Sequence, residues 1–244
     1  MIKMKTKFIL LTLSVLTVSL SSFAQVRFVP DDPYNEYSIG VGIGYTTMYG
    51  DLKESNPSPA FILDVAKHMS PNILIGAELQ HGTLSSTEPA NHWTTGLNMT
   101  NQYNSFNING KVTFAEFLKH PDNIGLRALS KFYVGAGVGL IDNNITSITE
   151  KFKTSDLKTI DPDFKKKSIA LIVPLNFGLN LYVKSFLGYK GAQFNINYQL
   201  NYAASDYVDG YKFPPATTRN KYNDLYSVLS VGIALYIGHV DEYE

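Results

Sequence analysis

The sequence of 244 residues contains no cysteine, a single tryptophan and few charged side chains. The absence of cysteine excludes disulfide frameworks, thiolate zinc sites and cysteine nucleophiles. Charged residues make up 17% of the chain, which is below the ~25% of an average soluble domain. The 21 basic and 21 acidic side chains cancel, so there is no basic excess of the kind that binds nucleic acid. Aromatic residues are abundant instead, with 16 Tyr and 14 Phe.

Residues 1–24 have the three-part pattern of a secretory signal peptide. Lysines at the start precede the apolar run 8–20, which is too short to span a bilayer as a helix. Ser22 and Ala24 are small residues at the two positions that a signal peptidase inspects, and they predict cleavage between Ala24 and Gln25. An uncleaved membrane anchor is the alternative, and it is disfavoured because no second apolar run of ~18 residues follows. We therefore expect an exported protein whose single mature domain spans residues 25–244.

Alternation of apolar and polar residues dominates the rest of the chain, and it is typical of strands with two different faces. The clearest run is 193–202, in which Phe, Ile, Tyr and Leu alternate with Asn and Gln. Pro174 interrupts another run because proline cannot donate to a neighbouring strand, and it predicts a bulge or a locally missing hydrogen bond. Eight strands are expected at 37–46, 60–67, 73–83, 106–114, 132–140, 168–183, 193–202 and 229–237.

The predicted connections differ in length between the two ends of the strands. Residues 70–72 and 184–192 are short turns, whereas long loops are expected at 84–104, 142–167 and 204–224. This asymmetry characterises outer-membrane barrels, which have short periplasmic turns and long outer loops. Two connections depart from it: 51–59 is short for an outer loop, and 115–130 is long for a periplasmic turn. A helical turn is expected at 115–119, where Pro121 ends it.

The identity of the polar residues separates a membrane barrel from a soluble one. A soluble barrel such as a lipocalin would carry charged residues on its outer face. The polar face here carries mainly Asn, Gln, Ser, Thr and Gly, which suit the crowded interior of a narrow barrel. The sequence therefore predicts an all-β fold, an eight-stranded antiparallel up-and-down transmembrane β-barrel. Aromatic girdles at its two rims are expected from Tyr37, Phe114, Phe132 and Phe194 and from Tyr49, Phe106 and Tyr202.

Several short strings resemble those of a known family. Residues 40–45 (GVGIGY), followed by 49–52 (YGDL), resemble the first strand and loop of Bacteroidota outer-membrane β-barrel proteins. Residues 206–211 and 223–227 resemble the last loop and strand of that group. Within it the chain looks like the OmpA-type barrel and the PorG-like barrel associated with type IX secretion. Because the chain ends at Glu244, the peptidoglycan-binding domain of full OmpA-type proteins is not expected.

Three charged residues share the polar face of consecutive predicted strands. Asp64, Glu78 and Lys111 each lie near the middle of a strand. If they face inward they must form a salt-bridged cluster, because an unpaired charge in a dry interior is very costly. Such a cluster would be either a gate or proton path, or a structural plug. We prefer the plug because eight strands leave no open channel.

A cation cluster is predicted in the third long loop, where lysines alternate with Glu and Asp. Its members are Lys151, Lys153, Lys158, Lys165, Lys166 and Lys167. At the outer surface these lysines would bind lipopolysaccharide phosphates or attract a protein partner. The alternative is a charged loop that is merely solvated.

An enzymatic function is disfavoured, and no catalytic residue, metal or cofactor is expected. Among the histidines only His92 falls in a predicted outer loop, where Glu88 and Ser85 or Ser86 are nearby. Nothing in the sequence fixes their geometry as a hydrolase would require. The expected function is therefore structural or interaction-based, within a cell envelope and in contact with outer-membrane lipid, lipopolysaccharide and a periplasmic or surface protein. A small pore or ligand-binding barrel is the alternative, and a barrel hydrolase is the third choice.

Overall fold

A computed structural model describes most of the chain after the predicted signal peptide. The described residues are 36–50, 54–88, 97–118, 123–148, 152–153, 159–160, 163–183, 192–205, 208, 211–212 and 224–238. The predicted signal peptide 1–24 and its cleavage site at Ala24 and Gln25 lie outside them. Among the described residues, no helix combines the length and the apolar character needed to cross a membrane.

The described residues form eight long strands in one closed sheet. Each strand pairs antiparallel with the strands before and after it in sequence, and β8 pairs with β1, so the eight strands leave no free edge. The strands are β1 (Tyr37–Tyr49), β2 (Ser58–Ser70), β3 (Ile73–Glu88), β4 (Leu97–Thr113), β5 (Phe132–Ile148), β6 (Lys167–Val183), β7 (Ala192–Ala203) and β8 (Leu225–Ile237). The prediction of an eight-stranded up-and-down antiparallel barrel is confirmed.

The two ends of the barrel differ. We call the end where β1 starts and β8 finishes the turn end, and the opposite end the loop end. At the turn end the β4–β5 connection contains a 3-10 helix, Phe114–Phe117, and a short α-helix, α1 (Ile124–Leu129). At the loop end the chain adds small strands: Glu54–Asn56 pairs with β3, Phe152–Lys153 with Thr159–Ile160, and Tyr211–Lys212 with Asp163–Phe164.

Several strands continue further towards the loop end than the sequence indicated. β3 ends at Glu88 instead of residue 83, and β4 begins at Leu97 instead of residue 106. Most of residues 84–104 is therefore a long hairpin, and the prediction of an open loop there was wrong. β5 likewise continues to Ile148 and not to residue 140.

An inversion of polarity explains these extensions. On β5 the outward Val138 and Leu140 are exposed and apolar, whereas the outward Asp142 and Asn144 beyond them are exposed and polar. The inward residues change in the opposite sense, because Ile141 is buried and apolar. The strand keeps its period of two while its apolar residues change faces. A pattern search that follows one apolar face therefore stops at the inversion.

The exposed apolar residues form a belt around the outside of the barrel. Val138, at 58% exposure, is typical of the belt, and a continuous apolar surface of this kind is not stable in water. On β5 the belt from Phe132 to Leu140 extends ~26 Å along the strand, or ~20 Å along the barrel axis at a tilt of ~40°. This height approaches the ~25 Å apolar band of barrels that cross a bilayer. The belt therefore has the character of a membrane-spanning surface.

Aromatic residues lie at both margins of the belt. Exposed rings occupy six of the predicted girdle positions: Tyr37, Phe132 and Phe194 towards the turn end, and Tyr49, Phe106 and Tyr202 towards the loop end. Aromatic side chains prefer the headgroup level of a bilayer. The seventh position, Phe114, belongs to the 3-10 helix and is only partly exposed.

Pro174 is accommodated without a bulge. β6 pairs with β5 at Ile172 and again at Leu175 in an unchanged register, but Val173 and Pro174 have no β5 partner in the described ladder. On its other side Pro174 stays in register with Asn201 of β7. Of the two outcomes expected at this proline, the structure shows the local interruption.

Candidate functional site: the closed lumen

Glycines on the inner face make room for the polar side chains of the neighbouring strand. On β5, Gly135, Gly137 and Gly139 pair with Lys111, Asn109 and Asn107 of β4, in that order. A Cβ atom on Gly137 or Gly139 would collide with the side-chain oxygen of its Asn partner, and one on Gly135 would lie 2.8 Å from Lys111 Cγ. Small and large residues therefore alternate between adjacent strands, which fills a narrow barrel without strain.

The three charged residues predicted as a lumen cluster line one cavity of the barrel. Asp64 of β2 and Glu78 of β3 are a directly opposed cross-strand pair. Two carboxylates in this relation repel each other unless a cation compensates them. Lys111 supplies the cation, since its Nζ lies 3.9 Å from Glu78 Oε2. Asp64 packs its carboxylate against Gly40, where a Cβ would collide with it.

Glu78 also holds a hydrogen-bond network that crosses the lumen. Its Oε1 accepts from Gln80 Nε2 at 2.8 Å, from Gln199 Nε2 at 2.9 Å and from Asn107 Nδ2 at 3.4 Å. Gln80 also donates to Gln199 Oε1. Gln80 lies on β3 and Gln199 on β7, which are diametrically opposite in an eight-stranded ring. The lumen is therefore bridged from wall to wall at this level.

Asparagine side chains extend the network around the wall. Gln199 Nε2 and Asn197 Nδ2 both donate to Asn176 Oδ1, at 3.2 and 3.0 Å. Asn176 Nδ2 in turn donates to Asn109 Oδ1 at 3.2 Å. These amides are buried, and buried polar groups are stable only when they are paired in this way.

Towards the loop end the lumen is filled by an apolar core. Tyr103 of β4 and Tyr226 of β8 meet across the barrel, with ring centroids 5.6 Å apart. Val208, from the connection between β7 and β8, is also buried in this core. Its backbone is fixed twice, because Asn101 Nδ2 donates to its carbonyl at 2.9 Å and its N–H donates to Asp224 Oδ2 at 2.8 Å. The remaining core members are Met48, Ala60, Leu84, Met99, Ile141, Ile145, Ala170, Ile172, Ala203 and Val228.

Towards the turn end the lumen contains a small polar cavity of about 60 Å³. This volume accommodates a few water molecules and is far below the ~300–1,000 Å³ of a typical ligand pocket. His68 and Ser38 line it, with Nε2 and Oγ 3.0 Å apart, and the His68 ring lies 5.2 Å from that of Tyr236. The cavity therefore has the size for water and not for an organic ligand.

One ion pair marks the outer rim of the turn end. Lys67 Nζ lies 3.0 Å from Glu36 Oε1 and 5.5 Å from the centre of the Tyr37 ring. The hydrogen bond from Lys67 lowers the pKa of the Glu36 carboxyl, and a hydrogen bond with Tyr37 lowers it further. An aromatic ring and a charge held together in this way are typical of the level of lipid headgroups.

The other predicted site residues are not gathered in a comparable way. Lys165, Lys166 and Lys167 are exposed where β6 begins. Lys153 belongs to a short strand whose side chains are not described, and Lys151 and Lys158 lie outside the described residues. His92, the hydrolase candidate, also lies outside them. Sequence reasoning missed the bridging residues Gln80, Gln199 and Asn176, although all three share the inward parity of their strands.

Solved structures similar to this chain include a surface protein, an attachment protein and an outer-membrane protein. The match to Neisserial surface protein A covers 85% of this chain and 100% of the chain of that protein, at 9% identity and a TM-score of 0.42. The attachment invasion locus protein Ail of Yersinia pestis matches 83% and 99%, at 11% identity and a TM-score of 0.40. Outer membrane protein OprG of Pseudomonas aeruginosa matches 84% and 98%, at 9% identity and a TM-score of 0.34. No protein-family model and no curated protein matches the chain. Such distant likeness carries no conclusion about function.

Proposed function

We propose that the protein is an outer-membrane barrel with a structural or interaction role in the cell envelope, and that it acts through its surfaces and not through its lumen. The observation that carries the proposal is the bridge between Gln80 and Gln199, with Glu78 bonded to both. A lumen bridged at mid-height and filled with apolar residues above offers neither a path nor a binding pocket. The outer membrane is the proposed location because the height of the apolar belt, ~20 Å, approaches the ~25 Å band of barrels that cross this membrane.

More specifically, the protein is proposed to belong to a secretion or surface assembly. This role is supported by the resemblance of residues 40–45 and 49–52 to Bacteroidota outer-membrane barrels, some of which are associated with type IX secretion. The partners proposed are outer-membrane lipid, lipopolysaccharide and a periplasmic or surface protein. The exposed Lys165, Lys166 and Lys167 form the described part of a cationic surface that suits lipopolysaccharide phosphates.

Membrane fractionation combined with chemical cross-linking in cells tests this role. The protein should fractionate with the outer membrane, and cross-linking before extraction should add a discrete protein partner to it. A matched variant carrying Lys165→Gln, Lys166→Gln and Lys167→Gln should fold normally. Partners bound by the cationic surface should be lost from its cross-linked products, whereas partners bound elsewhere should remain. Recovery of the wild type in the soluble fraction, or as an uncross-linked monomer at every cross-linker length, would contradict the proposal.

A small ligand-binding or conducting barrel is the second candidate. The observation that favours it is the polar cavity lined by Asp64, Glu78, Lys111 and His68. The cavity is an order of magnitude smaller than a ligand pocket, and the bridge lies between it and the loop end. A steady current through the barrel in a planar bilayer would favour this candidate over the interaction role. Catalysis is not proposed.

A further inference from the structure

The β4–β5 connection at the turn end carries apolar side chains that the barrel does not cover. The residues of α1 are Ile, Gly, Leu, Arg, Ala and Leu, and all of them are exposed. Ile124 is 84% exposed, and Leu126 and Leu129 are exposed to a similar extent as the membrane belt. Phe117, which ends the preceding 3-10 helix, is 65% exposed. These side chains are a second set of exposed apolar residues, outside the strands.

Water is an unfavourable environment for such a helix. α1 has six residues, whereas isolated helices shorter than ~12–15 residues are marginal in water even with favourable sequences. Asn123 caps its first turn by accepting a hydrogen bond from Gly125 N at 2.9 Å, which supplies only part of the missing stability. Apart from Arg127 the residues of α1 are apolar, and a helix with so little polar surface belongs in a protein core or in lipid. Something other than water should therefore cover α1.

Continuity with the belt identifies what covers it. Leu129 is three residues before Phe132, the first outward residue of the β5 belt, so their Cα atoms lie within ~11 Å of each other. Lys131, between them, already belongs to the barrel rim, because its carbonyl accepts from Asn180 N at 2.9 Å. The helix is thus tethered at the margin of the surface that faces lipid. Arg127 within α1 and Lys131 after it are exposed, and cations at this level suit anionic lipid phosphates.

We propose that α1, together with Phe117, lies in the phospholipid surface of the membrane on the turn side of the barrel and acts as an interfacial anchor. Leu126 and Leu129 insert at the boundary between headgroups and acyl chains, and Arg127 and Lys131 contact lipid phosphates. The connection thereby fixes the height and tilt of the barrel at one point of its rim. This inference rests on the proposed membrane location, and it assigns α1 and Phe117 to lipid and not to a protein partner.

The absence of cysteine makes the test direct, since a single introduced thiol is the only labelling site. Variants Leu126→Cys and Leu129→Cys are labelled with a nitroxide in the purified full chain, reconstituted in vesicles of phosphatidylethanolamine and phosphatidylglycerol. Val138→Cys provides the lipid reference, and Glu54→Cys, exposed at the loop end, provides the aqueous reference. The ratio of oxygen to nickel-chelate collision rates then reports whether each label is in lipid or in water.

Labels on α1 should give a ratio several-fold above that at Glu54 and below that at Val138, as a position at the boundary between headgroups and acyl chains requires. Replacing Arg127 and Lys131 with Gln should shift the helix towards water by about fivefold for each cation removed. Because the vesicles contain only this protein and lipid, burial of the labels cannot come from another protein. If one variant fails to insert, Ile124→Cys replaces it.

The outcomes separate this inference from the proposal on which it rests. Labels on α1 that read as aqueous while Val138 reads as lipid would overturn the anchor and leave the membrane location intact. A Val138 label that reads as aqueous would overturn both. A third result is that the labels on α1 give the same collision ratio in vesicles of neutral lipid and in the Arg127→Gln, Lys131→Gln variant as in the original vesicles. That result would overturn the contact with lipid phosphates.

Discussion

Replacing Lys111 by methionine should destabilise the barrel strongly. Lys111→Met keeps most of the volume of the side chain but removes the charge that lies 3.9 Å from Glu78 Oε2. At this separation a charge pair interacts by ~4 kcal/mol at an effective dielectric constant of about 20. Its loss also leaves Asp64 and Glu78 opposed across β2 and β3 with no compensating charge. Breaking a buried pair on one side costs ~3–5 kcal/mol, and we expect a loss in this range.

Reversible urea unfolding in lipid vesicles, followed by tyrosine fluorescence and by the heat-dependent shift in gel migration, measures this free energy of unfolding. Adding Glu78→Gln to Lys111→Met restores the net charge of the cluster to that of the wild type. The glutamine Oε1 can still accept from Gln80 and Gln199. The double variant should therefore recover at least half of the loss. A free energy of unfolding for Lys111→Met within ~0.5 kcal/mol of the wild-type value would refute the electrostatic argument, because this is the range of an ordinary surface substitution. A double variant as unstable as the sum of the two single variants would refute it as well.

Two further predictions each compare two positions, the first on the neighbouring strands β5 and β4 and the second on β5 alone. Gly137→Val should lower the free energy of unfolding by about 3 kcal/mol or prevent folding, because its side chain would collide with Asn109. Gly110→Ala should be tolerated, because its Cβ meets only a carbonyl oxygen at 3.9 Å. The heat-shifted gel band reports whether each variant folds. Val138→Arg should lose ~2–4 kcal/mol by placing a charge in the belt, whereas Asn144→Arg, outward on β5 but beyond the inversion, should stay within ~0.5 kcal/mol in urea titrations. Equal effects within either pair would contradict the assignment of inner face, belt or inversion.

The fold could be predicted because alternation is a local signal that survives in a single sequence. β7 shows this most clearly, since its apolar residues face outward and its Asn and Gln inward without exception between Phe194 and Asn201. The same parity predicts that Asp64, Glu78 and Lys111 share the polar face of their strands. All three line one cavity, because Asp64 and Glu78 lie directly opposite each other and Lys111, two residues from the end of β4, extends its long side chain towards Glu78.

The bridge and the extended hairpins could not be predicted, for two physical reasons. Gln80 and Gln199 are 119 residues apart in sequence, and only the closure of the barrel between β1 and β8 brings β3 opposite β7. At the loop end, the strands continue beyond the lipid, so water replaces hydrocarbon outside and apolar residues move to the interior. Residues such as Ile141 and Asp142 therefore interrupt the pattern by which the strand was recognised.

Helix α1 was missed for a different reason. Residues 124–129 are too few to show helical periodicity, and Gly125 lowers the intrinsic helix propensity. The sequence indicated a helical turn near residues 115–119, which corresponds approximately to the 3-10 helix Phe114–Phe117. What the sequence could not indicate is that the apolar side chains of α1 remain uncovered by the barrel.

Conductance across a planar bilayer tests the closed lumen most directly. The heat-shifted gel band first shows that the wild-type chain is folded in the same vesicles. The folded protein should then give no steady single-channel current at any applied voltage. Gln80, Glu78 and Gln199 bridge the lumen from wall to wall, and the apolar core fills the lumen on the loop side of them. A stable, ohmic current with a reproducible unit conductance would contradict the closed lumen and, with it, the conclusion that the protein acts through its surfaces.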